Sequence, residues 1–373
     1  PGSWNPRFYK YYSRVIIGTF IIIYNLLFTI NFYFVDKNLD SVVQEMIFYF
    51  TEVACTSKCF TFLIMHDEIV KMLSILESNI FQPVSQNGIN IICNAKKLNI
   101  KYWKFITGTS VSCNIAHVII PVIAHIFLST NLDLPVTSYS FLSDSFREKY
   151  NYLLYFYQSV GIHVVMWFNI NIDTFILGVM ILIIAQLDII DEKLRNITDE
   201  DKSSEELVNL NDEEKEIQLM SYFNECIIHY DEVGKFVSLF QRIFSITLFM
   251  QFSMSSYIIC VCLFRFTLPA PFQYRIFLAT YMTCMIFQVM APCWFGTQII
   301  VKSMNLTKAV YACDWTPRSN RFKTNMRFFC TRAGQPLIII GWKMFPMALT
   351  TFTAIMKSSY SAFALLRNMQ SRQ

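Results

Sequence analysis

The sequence predicts an all-α membrane protein with seven transmembrane helices, its N-terminus cytoplasmic and its C-terminus extracellular. Three observations lead there. Of 373 residues, 54% are hydrophobic and 16% aromatic while only 16% are charged, which is more apolar than an ordinary soluble domain. Seven stretches reach the length of about 20 mostly apolar residues that a helix needs to cross the hydrocarbon core. Lys and Arg then fall mainly on one side of the topology those spans define.

In chain order, Val15 to Val35 carries no charge and is the first span; it is also too long for the core of a cleavable signal peptide. Pro1 to Trp4, without an initiating Met, read as an expression remnant. Val42 to Met65 is the second span although it holds Glu45, Glu52 and Lys58, whose charges must face protein rather than lipid. Phe105 to Leu128 is the third, Ile243 to Phe264 the fifth, Ile276 to Val301 the sixth and roughly Met344 to Leu366 the last. Tyr150 to Leu187 admits one long helix or two short spans turning at Asn169, Asn171 and Asp173. With one helix, the N-terminal side of the membrane carries 21 Lys/Arg and the opposite side 7, whereas two helices would leave 12 inside against 16 outside. The positive-inside rule therefore selects one helix. Both glycosylation sequons, at Asn196 and Asn305, then fall in cytoplasmic segments and should be silent, and the outer loops carry no cysteine.

Five regions follow: 1–187 with the first four spans; 188–242, an acidic loop and helical extension; 243–301 with spans five and six; 302–343, a cytoplasmic segment; and 344–373, the last helix and a short external tail. Segment 188–242 has 6 Lys/Arg against 15 Asp/Glu, and Asp199 to Glu206 reads as a solvated, disordered loop. Beyond it Ile217, Met220, Phe223, Ile227, Tyr230, Val233, Val237, Phe240 and Phe244 recur at helical spacing into span five. A helix projecting well below the membrane is expected, packed into a bundle; the alternative is an amphipathic helix lying on the bilayer.

Several function classes are disfavoured. The net charge of +4, without basic tracts interleaved with aromatics, gives no footprint for nucleic acid. HExxH, GxSxG, GxGxxG, a Walker loop and paired CxxC are all missing, so no enzyme, cofactor or metal is expected. The 11 cysteines sit mostly in apolar runs and read as buried thiols. Ionisable residues at membrane depth, namely Glu45, Glu52, Lys58, Asp173 and Lys357, are functional candidates by default, with a buried structural role as the alternative. His117, His125 and His163 lie among aromatic and Met side chains, where a neutral imidazole can hydrogen-bond a ligand or simply pack.

From Ile227 onward the chain resembles the insect odorant receptor family. The resemblance rests on Ile228-His229-Tyr230, on Tyr311 and Trp315 in Tyr-Ala-Cys-Asp-Trp, on Arg332 with Gln335-Pro336, and on the stretch from Lys357 through Tyr360 and Phe363 to Leu366. It implies the odorant-tuned subunit of a ligand-gated, non-selective cation channel: four subunits around one pore, paired with the odorant receptor co-receptor, in the plasma membrane of a sensory dendrite. Monovalent and divalent cations would pass the pore, membrane lipid would surround it, and a volatile organic molecule would be the ligand. The resemblance also implies a pore lined by the last helix, with Leu365 at the gate and Ser361 and Asn368 on its face, and an anchor using Tyr311, Trp315, Arg332 and Gln335. Arg367 departs from what a cation pore favours; it should point sideways, or a partner subunit should dominate the pore mouth. The implied pocket draws Met46, Tyr49, Phe50 and Val53 from span two and Asn114, His117 and Pro121 from span three. Span four would add His163, Met166 and Trp167, and span six Phe277, Leu278 and Tyr281. A G-protein-coupled receptor is opposed by the expected cytoplasmic N-terminus, and a secondary transporter by the lack of an internal repeat.

Overall fold

In the computed structural model, residues 11–12, 15–35, 39–129, 131–197 and 212–370 are described. Pro1 to Trp4 and the acidic stretch Asp199 to Glu206 lie outside them. Lipid offers no partners for backbone amides, and the chain meets that constraint with helices that close their own hydrogen bonds. They are α1 (Val15–Phe34), α2 (Leu39–Ile64), α3 (His66–Leu76), α4 (Gln86–Phe127), α5 (Asp144–Asn196), α6 (Asp212–Thr267), α7 (Phe272–Ala312), α8 (Asn320–Ala333) and α9 (Leu349–Gln370). A two-stranded hairpin, β1 (Ile340–Gly341) and β2 (Phe345–Pro346), precedes α9.

Among the described residues, six helices are long and apolar enough to cross a membrane: α1, α2, α4, α5, α6 and α7. The seventh expected span, α9, is long enough at 22 residues but carries Lys357, Arg367 and a run of Thr and Ser, so it is less apolar than the other six. It starts at Leu349 rather than near Met344, because Met344 to Pro346 are taken by the hairpin. Tyr150 to Leu187 is one helix within α5, as the charge distribution required. Its non-helical backbone is confined to Tyr150, at φ −111°, one turn from the helix start. Of the polar residues that could have made a turn, Asn171 is exposed, while Asn169 and the buried Asp173 contact Lys58 of α2.

Three helices overshoot any bilayer. At about 1.5 Å per residue, the 56 residues of α6 and 53 of α5 extend roughly 80 Å, more than twice the hydrocarbon thickness of about 30 Å. The overhanging halves of α5, α6 and α7, joined by α3 and α8, pack into a bundle. Met220, Phe223, Tyr230, Val233, Val237, Phe240 and Phe244 of the periodic stripe are all buried there or in the adjoining span; only Ile217 at its start is exposed. Phe223 meets Phe322 and Phe329 of α8 at ring distances of 5.1 and 5.9 Å, and Tyr230 meets Phe329 at 5.6 Å. Gln186 of α5 donates to the Phe81 carbonyl at 2.9 Å, and its Oε1 lies 2.9 Å from His229 Nε2. A helix flat on a membrane surface would not bury its stripe against four others, so the surface-lying alternative falls. One apolar core runs without interruption from Cys55 and Val165 at membrane depth to Phe322 and Phe329 in the bundle.

The hairpin locks α9 to this frame. Its three-residue turn, Trp342 to Met344, places Trp342 and Lys343 at φ 41° and 59°, left-handed positions that Asn and Gly usually take. Trp342 is held by Phe249, 4.8 Å away, and Phe345 stacks on Phe252 at 5.6 Å. Gly296 of α7 lies against the Met347 carbonyl so closely that a Cβ there would collide with backbone. Gly296→Ala should therefore lower the thermal midpoint of the detergent-solubilised protein, by the equivalent of about 3 kcal/mol, the upper end of the usual overpacking cost. Gly108→Ala, where a Cβ meets nothing within 4 Å, should leave it unchanged in the same thermal-shift measurement.

Candidate functional site

Pro121 shapes the wall of the site from within α4. Proline has no amide hydrogen and its ring crowds the carbonyl four residues earlier, which here belongs to His117. The helix relieves the conflict with a π-helical segment, Ile115–Ile119, directly before the proline-containing turn. Asn114 and His117 both line a cavity of about 90 Å³ closed by α2, α4, α5 and α7. A single water needs only about 10–15 Å³ of such space, so there is room for a compact organic group.

The cavity is walled by apolar and aromatic side chains: Phe48 from α2, Ile162, Val165, Met166 and Ile170 from α5, Phe277, Tyr281 and Met285 from α7. His117 stacks between Phe48 and Phe277 at 5.1 and 4.2 Å, and Tyr281 lies 5.7 Å from Phe277. Its polar members are mostly engaged already. His117 Nε2 donates to the Pro135 carbonyl at 2.6 Å, Tyr281 shares a short hydrogen bond with Thr51, and Asn169 accepts from Lys58 at 2.5 Å.

A roof covers the end of the cavity nearest the loops. The segment around Pro135 to Ser140 is buried because three side chains reach up to its backbone and hydroxyls. Gln158 Oε1 accepts from the Val136 and Thr137 amides at 3.0 and 3.2 Å, while its Nε2 donates to the Thr137 carbonyl at 2.8 Å. Glu45 accepts from Asn31 Nδ2 at 2.7 Å, from Thr137 Oγ1 at 3.2 Å and from Ser138 Oγ at 3.3 Å. Asn31 Oδ1 in turn accepts from the Ser140 amide. Glu45 is thus a structural fastener.

Beneath the cavity, Lys58 Nζ lies 2.6 Å from Asp173 Oδ1, with both side chains under a tenth exposed. The two charges cancel at membrane depth, where either alone would be costly.

The structure brings Asn114, His117, Met166, Phe277 and Tyr281 to the cavity wall and turns the other expected pocket residues elsewhere. Met46 and Phe50 pack toward α6, with Phe50 5.5 Å from Tyr257, and Tyr49 packs toward α1 against Phe32 at 5.4 Å. Val53 follows the same turned-away face of α2, and Leu278 is buried in the cluster with Ile258 and Ile259. His163 is exposed and accepts from Trp167 Nε1 at 3.0 Å. Pro121 sets the helix geometry without lining the space. The α2 face that does line it is Phe48, Thr51 and Glu52. The spacing of Glu45, Phe48 and Glu52 at i, i+3 and i+7 is the signal that could have found that face.

On α9, Leu365 is 62% exposed and Ser361 and Asn368 are exposed on the same side. In the bundle Tyr311 is exposed and meets the Trp315 ring at 6.5 Å, Arg332 lies 3.8 Å from Asp231, and Gln335 is exposed.

A family profile described as 7tm Odorant receptor matches residues 38–360. Odorant receptor 10 of Aedes albopictus is 29% identical over 121 residues, 32% of either chain. Odorant receptor 2a of Drosophila melanogaster is 27% identical over 145 residues, 38% of this chain and 36% of its own. The chain thus matches about a third of the length of these relatives. In fold, it is similar to the insect olfactory receptor OR5 from Machilis hrabei. The complex of that receptor with eugenol superposes with a TM-score of 0.83 at 14% identity, covering 98% of this chain and 91% of the other. The structure without eugenol gives 0.80 at 15%, covering 97% and 90%.

Lys58→Met should destabilise the protein strongly, by about 3–5 kcal/mol, because it leaves Asp173 buried and unpaired. Adding Asp173→Leu should recover most of the loss, read as the thermal midpoint of the single and double variants; a double variant no better than the single would mean the pair is not the unit.

Proposed function

We propose that this chain, which belongs to the 7tm odorant receptor family, is the odorant-binding subunit of a ligand-gated, non-selective cation channel in the plasma membrane of a sensory neuron. The family is one of receptors rather than enzymes, and the chain is a multi-pass membrane protein. A volatile, mostly apolar molecule occupies the cavity between α2, α4, α5 and α7. Its binding favours a conformation in which α9 opens a pore shared with the odorant receptor co-receptor in a heterotetramer. The observation that carries this reading is the cavity at membrane depth between α2, α4, α5 and α7, lined by the rings of Phe48, His117, Phe277 and Tyr281.

The route from cavity to pore follows contacts between helices. Gln251 of α6 donates to the Gln288 carbonyl, at 3.3 Å, and Gln288 lines the cavity. One turn on from Gln251, Ser256 Oγ lies 3.0 Å from Ser359 Oγ of α9. Thr297 of α7 accepts from the Leu349 amide at the start of α9, also at 3.0 Å. A ligand that spreads the cavity wall moves two helices in direct contact with α9, and it shifts the gate only to the extent that it binds the open form more tightly. The exposed face of Ser361, Leu365 and Asn368 is the gate surface in this reading. The exposed Tyr311, Arg332 and Gln335 and the half-buried Trp315 meet neighbouring subunits through the bundle, which is cytoplasmic with the N-terminus.

Tyr281→Ala removes a cavity wall and should raise the half-maximal concentration for activating odorants by about tenfold or more, with expression at the surface retained. Leu365→Ser should raise current in the absence of odorant. Both are read as currents in cells co-expressing the chain with the co-receptor, without added nucleotide. Unchanged odorant responses in Tyr281→Ala would exclude this cavity as the binding site. An epitope at the N-terminus reached by antibody without permeabilisation would exclude the orientation.

A further inference from the structure

The cavity holds one carboxyl whose hydrogen bonding is incomplete. Glu52 lines it, is 4% exposed, and keeps Oε2 without a hydrogen-bond partner. The Asn25 amide of α1 supports the same carboxyl. The nearby cation cannot serve it, because Lys58 is already committed to Asp173 and Asn169. No Lys or Arg lines the cavity. Thr51, His117, Asn169 and Tyr281, four of the polar groups around it, have partners of their own; Ser110, Asn114 and Gln288 also line it and are uncharged. Once the Lys58 and Asp173 charges are cancelled, Glu52 is an acidic group in excess, enclosed with the ring faces of Phe48, Phe277 and Tyr281.

A carboxyl beside several aromatic faces is the chemistry that holds an ammonium group: the carboxylate supplies a charge-assisted hydrogen bond, and the rings supply cation–π attraction. An isolated carboxylate is costly in apolar surroundings, whereas the neutral acid is far less so. A neutral amine arriving from the bilayer takes the proton of the Glu52 carboxyl onto its nitrogen, leaving carboxylate and ammonium as a contact pair. Neither partner crosses apolar ground as an ion. An ester or ether of the same shape can accept a hydrogen bond from the neutral carboxyl, and an alcohol can accept or donate one, but none takes its proton or brings a charge for the rings, and a hydrocarbon does neither.

We propose that this cavity selects small lipophilic amines, with Glu52 as their counter-ion. This rests on the cavity being the ligand site. The test measures dissociation constants of benzylamine, benzyl alcohol and toluene, three ligands of nearly equal size, for the full chain in lipid nanodiscs. Benzylamine should bind about tenfold more tightly than either of the others, the ratio expected for a charge-assisted hydrogen bond. In Glu52→Gln, which keeps the shape, benzylamine should fall to within about twofold of benzyl alcohol while toluene is unchanged. Benzylamine no tighter than benzyl alcohol in the unmodified chain, an intact preference in Glu52→Gln, or no binding of benzylamine at millimolar concentration would each overturn the proposal. Should Glu52→Gln fail to fold, the ranking in the unmodified chain decides alone. Phe277→Ala separates the two readings. If it weakens all three ligands while the amine preference is missing, only the role of Glu52 falls; if it weakens none, the cavity itself is not the site.

Discussion

Helices α5, α6 and α7 do not end where the membrane does, and most of the architecture follows from that. With Tyr150 near the start of α5 and Pro292 inside α7 as their irregular points, these rods of 41 to 56 residues each run as helix from one end to the other. The same three helices wall or brace the cavity at one end and build the bundle at the other, with one buried core between them. Backbone satisfaction in lipid demands helices through the bilayer. Continuing them beyond it adds apolar contact area in water, where burial of Phe223, Tyr230, Phe322 and Phe329 drives association as lipid alone would not.

Within the membrane, the polar residues sort by whether they are answered. Lys58 and Asp173 cancel each other and pin α2 to α5. Glu45, with Asn31, Thr137 and Ser138, fastens the roof to α1 and α2. Asp173 keeps Oδ2 without a hydrogen-bond partner, but its charge is paired, and each arrangement replaces a costly isolated group with a local bond. Glu52, one turn and a half from Lys58 on the same helix, is not paired in this way. Three ionisable residues on α2 therefore have three different fates, decided by which neighbour each one faces.

Much of the fold was legible because its strongest signals are long and periodic. The apolar runs, the parity of the Lys/Arg distribution and the stripe from Met220 to Phe244 each integrate over many residues, and a misjudged one changes little. The single helix across Tyr150 to Leu187 came from that integration, since locally Asn169, Asn171 and Asp173 resembled a turn; Asn169 and Asp173 proved to be partners of Lys58, a contact between residues more than a hundred apart. The cavity was less legible. Its membership depends on helix rotation, and one residue along a helix turns the side chain by about 100°. Tyr49 and Phe50 satisfied the expected composition and face α1 and α6, whereas Phe48 and Thr51 face the cavity. The start of α9 was missed for a related reason. Met344 to Pro346 are apolar enough to extend a span, but the turn at Trp342 and Lys343 is stabilised by stacking on Phe249, which no local rule for hairpins anticipates.

The exposed face of α9 bears on how a single chain can be incomplete. A helix crossing lipid alone should be apolar all round, and one buried in a bundle should hide its large side chains. Helix α9 does neither: Ser359 is tied to α6 while Tyr360, Leu365 and Met369 stand exposed beside Ser361 and Arg367. Lipid would welcome the Leu and Met but not the Arg and the hydroxyls, and water the reverse. A mixed surface of this kind is satisfied where part of it meets other protein and part meets water, as it would along a pore formed between subunits. In the pore proposed for α9, Arg367 belongs on the side facing protein, where its charge does not repel passing cations. The polarity that keeps α9 from being as apolar as the other spans is thus what that proposed role requires.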